Sequence, residues 1–116
     1  MLLMEGSGRD HLALISESKS LNSEVFSLAR LLLLDSLAEV ELDGASFREL
    51  KAALNLTDGA LYSNLQALVK MGYLTEQTES FEGKEQAVYK ITLAGKEEWT
   101  KVKNWLLKLS LEVVKK

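Results

Sequence analysis

Polar side chains of the kinds that read nucleic-acid bases cluster between residues 57 and 66. Asn64 and Gln66 each carry an amide that can pair bidentately with adenine. Ser63 can bond a base or a phosphate, and Tyr62 can contact a phosphate or a thymine methyl group. Ala60 is small enough to permit close approach of a partner. This set of side chains predicts DNA recognition.

Catalytic chemistry has little support in the sequence. The 116 residues include no cysteine and one histidine, His11, so thiolate metal sites and cysteine nucleophiles are excluded. The chain also has no glycine-rich phosphate loop and no cluster with metal-ligand spacing. We therefore expect neither an enzyme nor a cofactor.

Two short helices are predicted to position the polar cluster. The run Ser46-Phe-Arg-Glu49 is a capping box that begins the first helix, and Thr57 caps the second. Leu61, Leu65 and Leu68 recur at helical spacing, so they face the core and turn the polar residues outward. Basic or hydroxyl side chains on these helices are candidates for holding DNA phosphates: Ser46, Arg48, Lys51 and Lys70.

A strand hairpin is predicted after the second helix. Gly72 ends that helix, and residues 73–81 and 86–93 then alternate like strands around a turn at 82–85. Helix, turn, helix and hairpin is the order of a winged helix-turn-helix, which lays its second helix in the DNA major groove. Lys84 and Gln86 fall near the hairpin tip and are the candidate DNA contacts of the wing.

Apolar residues near both ends of the chain predict a homodimer. The last helix, from about Ala94 to Val114, carries a seam at steps of 3, 4, 3 and 4 residues, and a helix beginning near Asn22 is also apolar on more than one face. Two apolar strips exceed what one small domain covers. The residues predicted at the dimer interface are Phe26, Leu33, Trp99, Val102, Leu106, Leu109 and Val113.

The expected fold class is mainly α with a small β-hairpin, an α+β fold. Residues 1–20 are predicted to be an N-terminal arm, 21–93 the winged helix-turn-helix, and 94–116 a dimerisation helix, within one structural domain overall. The first residues lack the features of a signal peptide, and no stretch is apolar for long enough to span a membrane. A cytoplasmic location is the expectation.

The sequence resembles the winged-helix transcriptional regulators of the MarR/ArsR-like superfamily, in their short single-domain form. The resemblance rests on the runs Leu56-Thr-Asp-Gly-Ala-Leu-Tyr-Ser-Asn-Leu65, Gly72-Tyr-Leu74, Phe81-Glu-Gly-Lys84 and Val88-Tyr-Lys-Ile-Thr-Leu-Ala-Gly95. It implies that the helix beginning at Thr57 is the recognition helix, that the hairpin tip is the wing, and that the first and last helices form the dimer. A small-molecule effector of unknown identity is also expected. Where the family often has Asn and then His or Arg, this chain has Ala60 and Asn64.

The charge distribution favours a second interpretation. The whole chain has a net charge of −3, and residues 46–90 carry five basic and six acidic residues, a net charge of −1. The hairpin tip has Glu79, Glu82 and Glu85 against Lys84, whereas a phosphate backbone attracts basic residues. The alternative is a winged-helix module that binds a protein partner and binds little or no DNA.

Overall fold

Helices dominate the computed structural model of the protein, which describes residues 10–111. The helices are α1 (His11–Ser18), α2 (Leu28–Val40), α3 (Phe47–Leu54), α4 (Asp58–Lys70) and α5 (Leu93–Ser110), the strands are β1 (Ala45–Ser46), β2 (Leu74–Phe81) and β3 (Lys84–Ile91), and single 3₁₀ turns lie at Ser23–Val25 and Glu41–Asp43. This is the winged-helix α+β fold expected from the sequence.

The chain divides into two compact units. The described parts of Met1–Asn22 and Glu98–Lys116 form the first unit, and Ser23–Glu97 forms the second. All the elements of the helix-turn-helix and the hairpin fall in the second unit. The dimerisation helix predicted from residue 94 therefore corresponds to α5, which begins in the second unit and continues into the first.

Caps define the two helices of the helix-turn-helix. Ser46 Oγ accepts from Glu49 N–H at 3.1 Å, and Glu49 Oε1 accepts from Ser46 N–H at 2.9 Å, as the capping box predicts. Asn55, in the left-handed region with φ 53°, ends α3. Thr57 Oγ1 then accepts from Ala60 N–H at 3.1 Å and begins α4. The turn between the two helices is therefore fixed by local hydrogen bonds.

The sheet has three antiparallel strands in the order β1-β3-β2. Glu82 and Gly83 both have positive φ, 52° and 80°, and they connect the paired residues Phe81 and Lys84. This is the pattern of a type I′ turn, which suits the twist of a hairpin. The turn is therefore two residues long rather than the four predicted, and the pairing of β1 with β3 adds a strand that the sequence analysis did not include.

Leucine side chains fill the core of the second unit. The buried residues of this unit include Leu33, Leu34, Leu37, Leu50, Leu61, Leu65, Leu68, Leu74, Val88, Tyr89 and Ile91. Among them Leu61, Leu65 and Leu68 form the inner face of α4, as predicted. α2 begins later than predicted, at Leu28, because Ser27 Oγ accepts from Arg30 N–H and caps it there.

Burial corrects part of the predicted dimer interface. Leu33 and Val102 are 0% exposed and Trp99 is 7% exposed, so these side chains have almost no surface left for a second chain. Among the other predicted residues, Leu106 is half-buried, while Phe26 and Leu109 are exposed. Val113 lies outside the described residues.

Part of the predicted N-terminal arm forms helix α1, which belongs to the first unit. Helix α1 has two turns and packs along α5: Trp105 Nε1 donates to the Leu14 carbonyl at 2.9 Å. Glu98, which is buried, accepts from Asn22 N–H at 2.7 Å, and Lys108 pairs with Glu17 at 3.1 Å. None of the helices between residues 10 and 111 has the length and apolar content that crossing a bilayer requires.

Candidate nucleic-acid interface

The N-terminal half of α4 and its cap expose small and polar side chains. Thr57, Ala60, Tyr62 and Ser63 are all exposed, and Tyr62 leaves 55% of its surface accessible. They lie opposite the buried leucines of the same helix, because the helical period places the two sets on different faces. Gly59 adds no side chain, so a partner can approach the backbone closely.

Asn64 is held by two intrachain hydrogen bonds. Its Oδ1 accepts from Arg30 Nε at 2.9 Å, and its Nδ2 donates to the Ala60 carbonyl at 2.8 Å. The side chain is therefore half-buried against α2, whereas the sequence predicts an amide that points freely outward. These two bonds change the orientation expected for the Asn64 amide. Its pairing with adenine stays a prediction.

Gln66 is held on the other side of α4, against the wing. Its Nε2 donates to Glu76 Oε1 at 3.1 Å, while Glu76 Oε2 accepts from the Tyr89 hydroxyl at 2.6 Å. These bonds connect α4 to β2 and β3 through a single carboxylate. The sequence predicts that the Gln66 amide is free and points outward. Instead, Gln66 is half-buried and bonded within the chain.

The pKa values of Glu76 and Tyr89 are both shifted in this arrangement. The hydrogen bonds from Tyr89 and then from Gln66 favour the charged form and lower the pKa of Glu76 below its ordinary 4.5. Burial, and secondly the hydrogen bond to Glu76, raise the pKa of Tyr89 above its ordinary 10.0. Both shifts favour the pair in which Glu76 is charged and Tyr89 is neutral.

The predicted phosphate contacts differ in accessibility. Arg48 and Lys70 are exposed, whereas Ser46 is only 4% exposed and both its hydroxyl and its N–H are used in the capping box. Ser46 is thus less accessible to a phosphate than Arg48 or Lys70, and its role in backbone contact stays a prediction. Lys51 is exposed and forms an ion pair with Asp58 at 2.6 Å, which joins α3 to the first turn of α4.

The wing, defined here as β2, β3 and the turn between them, has an acidic and exposed tip. Lys84 is exposed, as are Glu79, Glu82 and Glu85, and Phe81 is 61% exposed. Gln86 is half-buried and lines a cleft of about 390 Å³ beside the start of α3, together with Arg48 and Phe81. Of the two predicted wing contacts, Lys84 is thus the more accessible.

Two residues beside α4 were missed by the sequence analysis. Neither Arg30 nor Glu76 belongs to the runs that carry the resemblance, and each bonds an α4 amide from a different element. No local pattern could have identified Arg30, because 34 residues separate it from Asn64. Across residues 10–111, no group of His, Cys, Asp and Glu side chains is arranged to hold a metal ion.

Comparison with known proteins gives different results for whole proteins and for domain families. No match was found among curated proteins. In contrast, the family model for a winged helix DNA-binding domain matches residues 29–110, most of the chain.

Solved structures share the fold at low sequence identity. The S. aureus MepR–DNA complex has a TM-score of 0.66 at 13% identity, over 85% of this chain and 80% of that chain. Wild-type MarR from E. coli has a TM-score of 0.61 at 20% identity, over 82% and 71%. The heme sensor protein PefR, in complex with heme and carbon monoxide, has a TM-score of 0.68 at 16% identity, over 85% and 67%. The fold is thus that of MarR-like regulators, and by the match over residues 29–110 the chain belongs to the winged helix DNA-binding domain family.

Proposed function

We propose that the protein is a homodimeric transcription regulator that binds specific double-stranded DNA sequences with α4 in the major groove. The observation that carries this proposal is the exposed N-terminal half of α4, where Gly59, Ala60, Tyr62 and Ser63 form a surface with little bulk at its centre. A major groove about 12 Å wide admits a helix of this kind. Family membership supports the same function.

Contacts to DNA divide between bases and phosphates in this proposal. Ser63 and Tyr62 reach base edges or nearby phosphates, while Gly59 and Ala60 let the helix backbone come close. Arg48, Lys51 and Lys70 hold phosphates. Lys51 must leave Asp58 to do so, and an exposed ion pair of this kind costs only about 0–1 kcal/mol to break.

A second copy of the chain completes the proposed regulator. The exposed apolar residues of α5, including Leu107 and Leu109, supply surface for such a copy. Two α4 helices then enter successive major grooves about 34 Å apart on an inverted repeat. An unidentified small-molecule effector acts by favouring one spacing of these helices, and the regulator acts in the cytoplasm.

The test is selection of bound duplexes from a random library at low salt, followed by sequencing. We expect an enriched inverted repeat with half-sites about one helical turn apart. The double variant Tyr62→Ala, Ser63→Ala then weakens binding to the selected site. Thr100→Ala, at an exposed position of α5, is the control. No enriched sequence, or equal binding by the double variant and the control, would contradict the assignment of α4.

The acidic wing favours one alternative, a winged-helix module that binds a protein partner. Exposed Glu79, Glu82 and Glu85 repel phosphates and attract a basic surface. Salt distinguishes the two functions, because DNA affinity falls steeply as salt rises. Absence of duplex binding even at low salt would support the protein-binding alternative.

A further inference from the structure

The positively charged guanidinium group of Arg30 lies directly beside the polar face of α4. Arg30, on the first turn of α2, reaches α4 with its guanidinium: Nε donates to Asn64 Oδ1 at 2.9 Å, and Nη1 donates to the Glu24 carbonyl at 2.7 Å. The side chain is half-buried. Two bonds to separate elements hold the guanidinium plane in one orientation.

The guanidinium keeps donors for another partner. Arginine has five N–H groups in a planar fork, and the bonds to Asn64 and Glu24 use two of them. The remaining donors suit a phosphate, which arginine binds through more than one oxygen. A guanidinium whose plane is already fixed loses less conformational entropy when it binds a phosphate than a free lysine does.

The two flanks of α4 carry opposite charges. Arg30 holds Asn64 on the flank that faces α2, while Glu76 holds Gln66 on the flank that faces the wing. A DNA strand is therefore attracted to the first flank and repelled by the second. This asymmetry agrees with the acidic wing, and it assigns the phosphate contact to α2.

We propose that Arg30 binds a DNA phosphate beside α4 and, with the same guanidinium, positions the Asn64 amide toward a base. Asn64 Nδ2 is held at the same time by the Ala60 carbonyl, so both ends of the amide are fixed before DNA arrives. The inference rests on the proposed DNA-binding function and adds a residue and a side of approach to it.

The experiment compares Arg30→Gln and Arg30→Lys with the wild type on the selected duplex and on a scrambled duplex. Binding is measured by fluorescence anisotropy between about 50 and 200 mM salt. Each lost phosphate contact reduces the slope of log K against log salt by about 0.9. We therefore expect Arg30→Gln to lower the slope by about 0.9 for each chain bound, on both duplexes. Lys19→Gln, which removes an exposed charge at the end of α1, is the control and keeps the wild-type slope.

Arg30→Lys separates the two roles. A lysine keeps the charge and hence the slope, but its ammonium cannot reproduce the planar fork that orients Asn64. We expect the preference of Arg30→Lys for the selected over the scrambled duplex to fall to that of Asn64→Ala. The double variant Arg30→Lys, Asn64→Ala should lose no further preference. Circular dichroism and a thermal melt of each variant establish that it is folded.

The outcomes are distinguishable. An Arg30→Gln slope equal to that of the wild type overturns the phosphate contact, and an additive loss in the Arg30→Lys, Asn64→Ala double variant overturns the positioning role. If the wild type binds no duplex at any salt concentration, the DNA-binding function fails as well. If the wild type binds and only the Arg30 expectations fail, the function stands and the inference does not.

Discussion

At the scale of single residues, the carboxylate of Glu76 connects the proposed recognition helix to the wing. Its two oxygens accept from Gln66 at 3.1 Å and from Tyr89 at 2.6 Å. Tyr89 is 1% exposed overall, so the wing end of the network is anchored in the core. The contact holds the half-buried Gln66 side chain against the wing and connects α4 to the strands.

The network predicts a pH window for stability. Because folding lowers the pKa of Glu76, its contribution is present above pH 4.5 and is lost as the pH falls through the folded value. Because folding raises the pKa of Tyr89, its contribution is present below pH 10.0 and is lost as the pH rises through the folded value.

Tyr89→Phe tests this network. Removing the hydroxyl returns the pKa of Glu76 toward 4.5, because the larger of its two stabilising hydrogen bonds is gone. We also expect the free energy of unfolding near neutral pH to fall by about 1 kcal/mol. Carbon-13 NMR of the Glu76 carboxyl measures the pKa, and urea unfolding measures the stability. An unchanged Glu76 titration in the variant would show that the Tyr89 hydrogen bond does not perturb it.

At the scale of elements, helix ends and one close approach position the DNA-binding surface. Gly59 lies in the first turn of α4, and a Cβ added there would meet nothing within 4 Å. Gly95 lies in the first turn of α5, and a Cβ there would clash with the Tyr73 carbonyl oxygen. The fold therefore requires a glycine at position 95 for packing but not at position 59, where we propose that the missing side chain serves contact with DNA.

The same substitution at these two glycines is expected to act in opposite directions. Gly59→Ala raises the free energy of unfolding by about 0.4–1 kcal/mol, because alanine restricts the unfolded chain and fits the helix. It also weakens DNA binding, because the methyl group blocks close approach. Gly95→Ala lowers the free energy of unfolding by about 1–3 kcal/mol, since backbone must move.

Urea unfolding of both alanine variants and duplex binding by Gly59→Ala provide the measurements. Tighter or equal DNA binding by a stabilised Gly59→Ala would contradict the proposed role of the exposed face of α4. An unaltered stability of Gly95→Ala would contradict the close packing of α5 on the turn that contains Tyr73.

At the scale of the whole molecule, the surface left for a second chain is smaller than the sequence pattern indicates. Leu33 of α2 and Val102 of α5 are fully buried, so part of each predicted apolar strip packs in the interior. Beyond Val102 the apolar residues emerge: Leu107 is 62% and Leu109 36% exposed. We therefore expect a dimer of this protein to use the C-terminal half of α5, within the described residues.

Leu109→Glu tests that dependence. A charge at this position must be desolvated in an apolar interface, so we expect the variant to sediment as a monomer at concentrations where the wild type is a dimer. Leu42→Glu is the matched control, because Leu42 is 83% exposed in the 3₁₀ turn after α2. Sedimentation equilibrium measures the mass. Equal masses for Leu109→Glu and the control would place the interface elsewhere or show that the chain is monomeric.

Local interactions in the sequence were enough to determine the order of the helix-turn-helix and hairpin and the caps of the two helices. The capping box at Ser46, the cap at Thr57 and the leucines of α4 act over three or four residues, so their outcome can be read from spacing alone. The tertiary structure alone decided which of the predicted side chains remain accessible to a binding partner. Arg30 reaches Asn64 across 34 residues and Glu76 reaches Gln66 from another element. Ser46 and Leu33 are enclosed by chain segments distant in sequence, and contacts of this range leave no local pattern because they form only when the elements pack.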